Sequence, residues 1–324
     1  MTAAQSVTPT NQLGQIDPRF GEVDTVFFIV GAQKAGTTWL YRQLRNHPQV
    51  AMPGWKETNY WTYMADQSFG KHFDKMYRAR FKNMPAFTDR LLRRGSKSDK
   101  SIDLSMRLVK RANAHPGRPH SGYANVMFQE VGGKTRAVGE ACPQYALLPP
   151  ETYSEMASLG KDVRFIYLMR DPVRRLVSGV KHSLRLERGV DNFSQDDVEQ
   201  TIAELIERPN SFHMRSCNYR DNVGRLETAI STEKIKYVFF EDLFSDAMYG
   251  EILTFLGVSH HRPNIAARVN ADPNPRVGIS PELELKAIAA LGDIYRFSID
   301  RFGDALPSRW TQSLGLLDEG HVNA

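Results

Sequence analysis

The stretch FFIVGAQKAGTTWL, Phe27 to Leu40, runs from an apolar, β-branched segment through a glycine-bounded loop into a helix-like segment. Gly31 and Gly36 have the separation of the triphosphate-binding pattern G-x-x-x-x-G-K-S/T, but Thr37 stands where that pattern has lysine, and the lysine, Lys34, lies inside the loop. The physics of an anion cradle is retained. Gly36 lets the backbone come close, and the N–H groups of Gly36, Thr37 and Thr38 open a helix with no intrahelical acceptor. Thr37 and Thr38 add hydroxyl donors, and Lys34 adds a compact positive charge. The alternative is a strand–turn–helix junction that holds nothing.

Five segments read as strands: TVFFIV (25–30), VAM (50–52), TRAVGE (135–140), VRFIYLM (163–169) and KYVFF (236–240). The stronger ones are almost continuously apolar, as for strands covered on both faces. Helix signals fall between them. Thr38 to Asn46 stops before Pro48, Asp171-Pro172 supplies a cap and a first turn, and Asp196 to Glu207 is apolar at helical spacing. Ser280-Pro281 opens what reads as one last long helix through Ile288, Leu291 and Tyr295 to Gly303. Alternating strands and helices predict an α/β, P-loop-like three-layer fold with a central parallel sheet and helices on both faces. Ligands in such folds bind at the carboxyl ends of the strands. The expected division is a flexible segment 1–24, one domain over 25–310 with a basic helical insertion at about 65–130, and a tail over 311–324.

Charge is concentrated in that insertion. From Lys71 to Arg118 there are 14 Lys/Arg against four Asp, so the rest of the +5 chain is slightly acidic. Such a run is either a solvated helical face or a rim that attracts an anionic substrate. No nucleic-acid-binding module accompanies it. There is no signal-peptide pattern and no apolar run of membrane-spanning length. Two cysteines, Cys142 and Cys217, do not make a disulfide framework. A soluble cytoplasmic protein is expected, of unknown oligomeric state.

A second constellation is LMRDPVRRLVS, Leu168 to Ser178. Arg170 ends a strand and Ser178 lies along the following helix, a fork and a hydroxyl suited to a second phosphate. Taken alone, Arg170 suits pairing with a neighbouring carboxylate equally well.

Together these residues resemble the sulfotransferases that use 3′-phosphoadenosine 5′-phosphosulfate (PAPS), in particular the carbohydrate and heparan-sulfate type and its bacterial relatives. Lys34-Ala35-Gly36-Thr37-Thr38-Trp39 is similar to the family's 5′-phosphosulfate loop, and Arg170-Asp171-Pro172, Arg175 and Ser178 to its 3′-phosphate motif. Lys56-Glu57 with Tyr60-Trp61 matches a lysine–glutamate–aromatic segment. Phe240-Glu241-Asp242-Leu243 and Phe255-Leu256-Gly257 match a downstream signature. The resemblance implies sulfuryl transfer from PAPS to a hydroxyl or amine of an acceptor such as a sugar or glycolipid, with no metal required; the basic insertion points to an anionic acceptor. It implies Glu57 as base, with Lys34 stabilising the leaving oxygen and Lys56 assisting the sulfonate. Thr37 and Thr38 then fix the 5′-phosphate, and Arg170 and Ser178 the 3′-phosphate.

Several positions stay open. Ala141 stands where the family often has lysine. Glu140 either orients acceptor or cofactor groups or is a buried structural carboxylate. His182 is a second candidate base or a structural histidine. Arg276, in NADPNPRVGIS (270–280), either covers the nucleotide or is a solvated loop residue. Trp55, Tyr60, Trp61 and Tyr63 form either a sugar-binding wall or packed core. The competing functions are a P-loop kinase or NTPase, with Glu241 or Asp242 holding metal, and a non-catalytic polyanion binder.

Overall fold

The computed structural model describes residues 16–54, 56–66, 120–189, 192–267 and 275–320. Five strands, β1 Thr25–Gly31, β2 Val50–Ala51, β3 Ala137–Ala141, β4 Val163–Met169 and β5 Ile235–Phe239, form one sheet in the order β2-β3-β1-β4-β5. All pairings are parallel, with Phe28 opposite Glu140, Ile29 opposite Ala141, and Leu168 opposite Val238. Every residue of β1 and of β3 is buried, so side chains of both parities are covered, which requires helices on both faces. The order reverses direction across β1: the chain moves out to β2, returns to β3, then crosses to β4 and β5. The ends of β1 and β4 therefore border the crevice where such sheets bind ligands.

The register shifts between Ile29 and Gly31, where Gly31 lies opposite Tyr167. A Cβ on Gly31 would sit 2.3 Å from the Tyr167 ring, so only glycine lets the strand pass that ring into the loop.

The helices are α1 Thr37–Arg45, α2 Tyr60–Ala65, α3 Ser121–Met127, α4 Pro150–Ala157, α5 Pro172–Arg188, α6 Gln195–Ile206, α7 Phe212–Cys217, α8 Tyr219–Ala229, α9 Asp246–Leu256, α10 Pro281–Ala290, α11 Gly292–Phe302 and α12 Ser308–Gly320. Their starts follow local chemistry. Asp171 caps α5 through the Arg174 N–H with Pro172 in the first turn, and Ser194 and Asp197 form a reciprocal capping box on α6. The expected long helix 281–302 is instead two helices, interrupted at Leu291-Gly292. Apolar spacing continues across the break, which is why the sequence reads as one helix.

Both expected ends of the domain are packed. In the segment before β1, Phe20 is buried against Phe128 and Tyr123, and Arg19 donates to Asp17 and to Asn125 of α3. At the other end α12 runs past residue 310, and Trp310 is buried against Tyr219, Phe239 and Tyr295. Most of the basic insertion, 67–119, lies outside the described residues; its last part contains α3. Among the described residues no helix is long and apolar enough to cross a membrane.

Phe20→Ala should lower the unfolding free energy by about 3–5 kcal/mol, the cost of emptying an aromatic core position. Urea titration checks this; a loss under about 1 kcal/mol would mean that residues 16–24 are not part of the core.

Candidate active site

The segments leaving all five strands border one cavity of about 780 Å3. The loop after β1 contributes Gln33, Lys34, Gly36, Thr37, Thr38 and Trp39. Lys56 and Glu57 follow β2, Pro143 follows β3, Arg170 follows β4, and Phe240 and Phe244 follow β5.

In the β1–α1 loop, Gly36 is the N-cap of α1 with φ 91°, and a Cβ there would meet Leu243 Cδ2 at 2.4 Å. Backbone conformation and space both call for glycine. Among the described residues the N–H groups of Gly36, Thr37 and Thr38 have no hydrogen-bond acceptor. They lie at the positive end of α1. Lys34 sits in the left-handed region, φ 72°, which is uncommon for a residue with a side chain. Two arginines hold the loop there. Arg175 Nε donates to the Gln33 carbonyl at 3.1 Å and its Nη2 to the Gln33 side-chain oxygen at 3.4 Å, while Nη1 donates to the His213 carbonyl at 2.7 Å. Arg170 Nη1 donates to the Lys34 carbonyl at 3.3 Å. Arg175 is fully buried and does not line the cavity. Its part in the motif is to hold the loop, not to touch an anion, because its donors are already taken by carbonyl and amide oxygens.

Cations crowd this cavity. Burial pushes the Lys34 ammonium down to about 8, and Arg185, Arg170 and Lys56 add repulsion against a smaller opposing effect of Glu57. Burial also lowers Arg170, whose guanidinium lies 4.3 Å from the centre of the Phe240 ring. One face of α5 supplies Arg174, Val177, Ser178, Lys181 and His182 to the wall. Arg174 pairs with Glu284 at 2.7 Å. Lys181 Nζ donates to the Val277 carbonyl at 2.6 Å, which ties the segment Pro275–Gly278 across the cavity. Arg276 is exposed within that segment, between lining residues Pro275 and Val277, and does not itself line the wall. Ala35, in the loop, is buried behind it.

On the opposite side Glu57 also adopts a left-handed backbone, φ 68°, with its side chain about 40% exposed and in an ion pair with Lys56 Nζ. Tyr60 and Trp61 are buried beside Tyr123 and His120, so they belong to the core and not to a sugar-binding wall; Tyr63 does not line the cavity either. Trp55 lies outside the described residues. Glu140 is buried, accepts from Thr58, Tyr123 and Tyr145, and does not line the cavity. Burial raises its pKa against the opposing effect of those hydroxyls. Glu241 accepts from the Asp171 N–H at 3.2 Å, and neither it nor Asp242 lines the cavity.

Arg174 and Lys181 were not singled out from sequence. Their helical spacing with Ser178 and His182 puts all four on one face, and that signal was available. Pro143, Phe244 and Ile265 reach the cavity only through the fold and carry no local signal.

A family profile described as "Sulfotransferase family" matches residues 27–262. Among solved structures, a sulfotransferase from Alicyclobacillus acidocaldarius aligns with a TM-score of 0.58 at 23% identity, covering 88% of this chain and 98% of that one. The sulfotransferase domain of the Synechococcus PCC 7002 olefin synthase aligns at 0.47 and 18% identity, covering 93% and 96%. Retinol dehydratase in complex with androsterone and inactive cofactor PAP aligns at 0.46 and 15% identity, covering 88% and 83%. The likeness to the Alicyclobacillus protein is one of fold. A comparison with curated proteins returned no match.

Because the Lys34 pKa is lowered on folding, its charged form costs stability below about pH 8, and that cost disappears as pH rises towards the unfolded value of 10.5. A bound anion reverses the preference. Sulfate, whose own charge is constant over this range, should bind with constant affinity below about pH 8. Above it, affinity should fall by up to roughly tenfold per pH unit, with proton uptake. Calorimetric titration checks this; Lys34→Met should abolish the pH dependence, and a profile flat to pH 9.5 in the unaltered protein would contradict it.

Proposed function

The chain belongs to the sulfotransferase family, and on that premise we propose that it transfers the sulfuryl group of PAPS to an acceptor hydroxyl or amine with Glu57 as the base. The observation that carries the reading is the pair of left-handed side-chain-bearing residues, Lys34 and Glu57, lining one cation-rich cavity close enough for their charges to interact. Such conformations cost about 1–3 kcal/mol each and persist where the surroundings over-determine them, commonly at functional sites.

The donor fits the residues present. Unpartnered N–H groups at Gly36, Thr37 and Thr38, at the start of α1, suit the 5′-phosphate. Arg170 and Ser178 suit the 3′-phosphate, with Lys181 and the 275–278 segment beside them. When bound, PAPS supplies a sulfuryl group whose bond to a 5′-phosphate oxygen breaks as a bond to the acceptor atom forms. Glu57 accepts the acceptor's proton. Lys34 offsets negative charge on the departing phosphate oxygen, an electrostatic contribution strengthened by its partial burial. Lys56, paired with Glu57 in the free protein, is free to turn to the sulfonate once Glu57 engages the acceptor. His182 lines the same cavity and is the second candidate base. Arg276, exposed between the lining residues Pro275 and Val277, is the candidate contact from the cover segment.

The kinase-like alternative needs an acid at the end of β5 to hold metal, whereas Glu241 is engaged by the Asp171 N–H outside the cavity. We propose a reducing compartment such as the cytoplasm, supported by two buried free cysteines. An anionic or sugar acceptor stays our proposal for the acceptor class, from the basic run 71–118.

Glu57→Gln should lower turnover from labelled PAPS by about 100-fold or more while adenosine 3′,5′-bisphosphate binds within about threefold of the unaltered protein. His182→Gln should retain most turnover. Rates from mass-detected sulfation, beside calorimetric affinities, check both; unchanged turnover in Glu57→Gln would move the base elsewhere.

A further inference from the structure

We infer that Glu140 is a positioning residue for Glu57, acting through Thr58; this rests on Glu57 being the base. The end of β3 grips the turn that carries Glu57 residue by residue. The Glu57 N–H donates to the Ala141 carbonyl at 3.1 Å. Thr58 Oγ1 donates to Glu140 Oε2 at 2.7 Å. Cys142 Sγ donates to Asn59 Oδ1 at 3.2 Å, and Asn59 Nδ2 returns to the Glu57 carbonyl at 3.1 Å. Three consecutive strand-end residues thus hold three consecutive turn residues.

Glu57 and Asn59 flank Thr58 with φ of 68° and 55°. Two left-handed side-chain-bearing residues around one buried threonine are unfavourable on their own, so the turn depends on that grip. Relaxing either residue to an ordinary backbone would swing the Glu57 carboxylate away from the cavity.

Glu140 is the centre of the grip because it collects three hydroxyls from three parts of the chain. Tyr123 of α3 donates to Oε1 at 2.5 Å, Tyr145 after β3 donates to Oε1 at 2.7 Å, and Thr58 takes Oε2. Two of those donors are committed as acceptors elsewhere: Thr58 Oγ1 accepts the Tyr60 N–H, and the Tyr145 hydroxyl accepts the Trp61 N–H. Their hydrogens point at residue 140, where three hydroxyls converge on two oxygens; a carboxylate can accept from all three, whereas an amide would turn its NH2 donor towards at least one of them. The strand register puts Glu140 opposite Phe28, one residue before Ile29 pairs with Ala141, so the hub is anchored to the same strand that delivers the Lys34 loop. Donor loop and base are thereby referenced to one rigid edge.

The test measures kcat and the affinity for adenosine 3′,5′-bisphosphate in Thr58→Val, Thr58→Ser, Glu140→Gln and the double variant Glu57→Gln/Thr58→Val. Thr58→Val keeps shape and removes the hydroxyl; Thr58→Ser restores it. Misplacing a catalytic group by about 1 Å costs on the order of 100-fold. Thr58→Val and Glu140→Gln should each lose roughly 10- to 100-fold in kcat with nucleotide affinity within threefold, and Thr58→Ser should recover most of the rate. The double variant should be no slower than Glu57→Gln alone, because a base already removed has no position to lose. Thr58→Val turning over like the unaltered protein, or losses that multiply in the double variant, would overturn the inference while leaving the base assignment intact. Glu140→Gln with weakened nucleotide affinity would also overturn it, by showing a general structural role. Glu57→Gln turning over normally would remove the base assignment itself.

Discussion

A helix that begins with three backbone N–H groups lacking acceptors, capped by a glycine and preceded by a lysine in a left-handed conformation, is the arrangement on which the rest depends. Such an end is costly to leave beside a crowd of cations without an anion. The depressed Lys34 pKa expresses the same imbalance: the free protein resists charging the group that an anionic ligand favours. Positive charge and open N–H donors are thus held in place in the free protein, and Arg175 and Arg170 hold the loop carbonyls that keep them so.

The sheet turns this local arrangement into a site. Because β1 lies between β3 and β4, the anion loop has the Glu57 turn on one side and the Arg170–α5 segment on the other. The three meet at strand ends whose spacing is set by backbone hydrogen bonds, so the distance between Glu57 and the start of α1 is inherited from sheet geometry and not from loop flexibility. The cover segment adds a softer element, tied by Lys181 to the Val277 carbonyl.

Much of this was legible in the residues themselves. β1, β4 and β5 were readable because doubly covered strands are continuous apolar runs, and the residues of the β1–α1 loop and of Arg170–Ser178 that line the cavity because glycine, lysine, arginine and hydroxyl types at strand ends mark the ligand edge of such a sheet. What failed did so for identifiable reasons. The helix break at Leu291-Gly292 leaves the apolar spacing intact, so periodicity alone runs through it. Arg175 reads as an anion ligand by type, yet its burial and carbonyl partners come from the packing of α5 on the loop. The role of Glu140 depends on Thr58, Tyr123 and Tyr145; Thr58, 82 positions away in the chain, comes to it from the segment after β2, the strand paired with β3.

The central claim is that Lys34 with the α1 amino end, and Arg170 with Ser178, grip the two phosphate ends of one nucleotide and leave Glu57 facing the atom that is transferred. A crystal structure with adenosine 3′,5′-bisphosphate tests it most directly. The account predicts the 5′-phosphate on the N–H groups of Gly36 to Thr38 and the 3′-phosphate on Arg170 and Ser178. The nucleotide lying elsewhere, or the two phosphates with their ends exchanged, would contradict it.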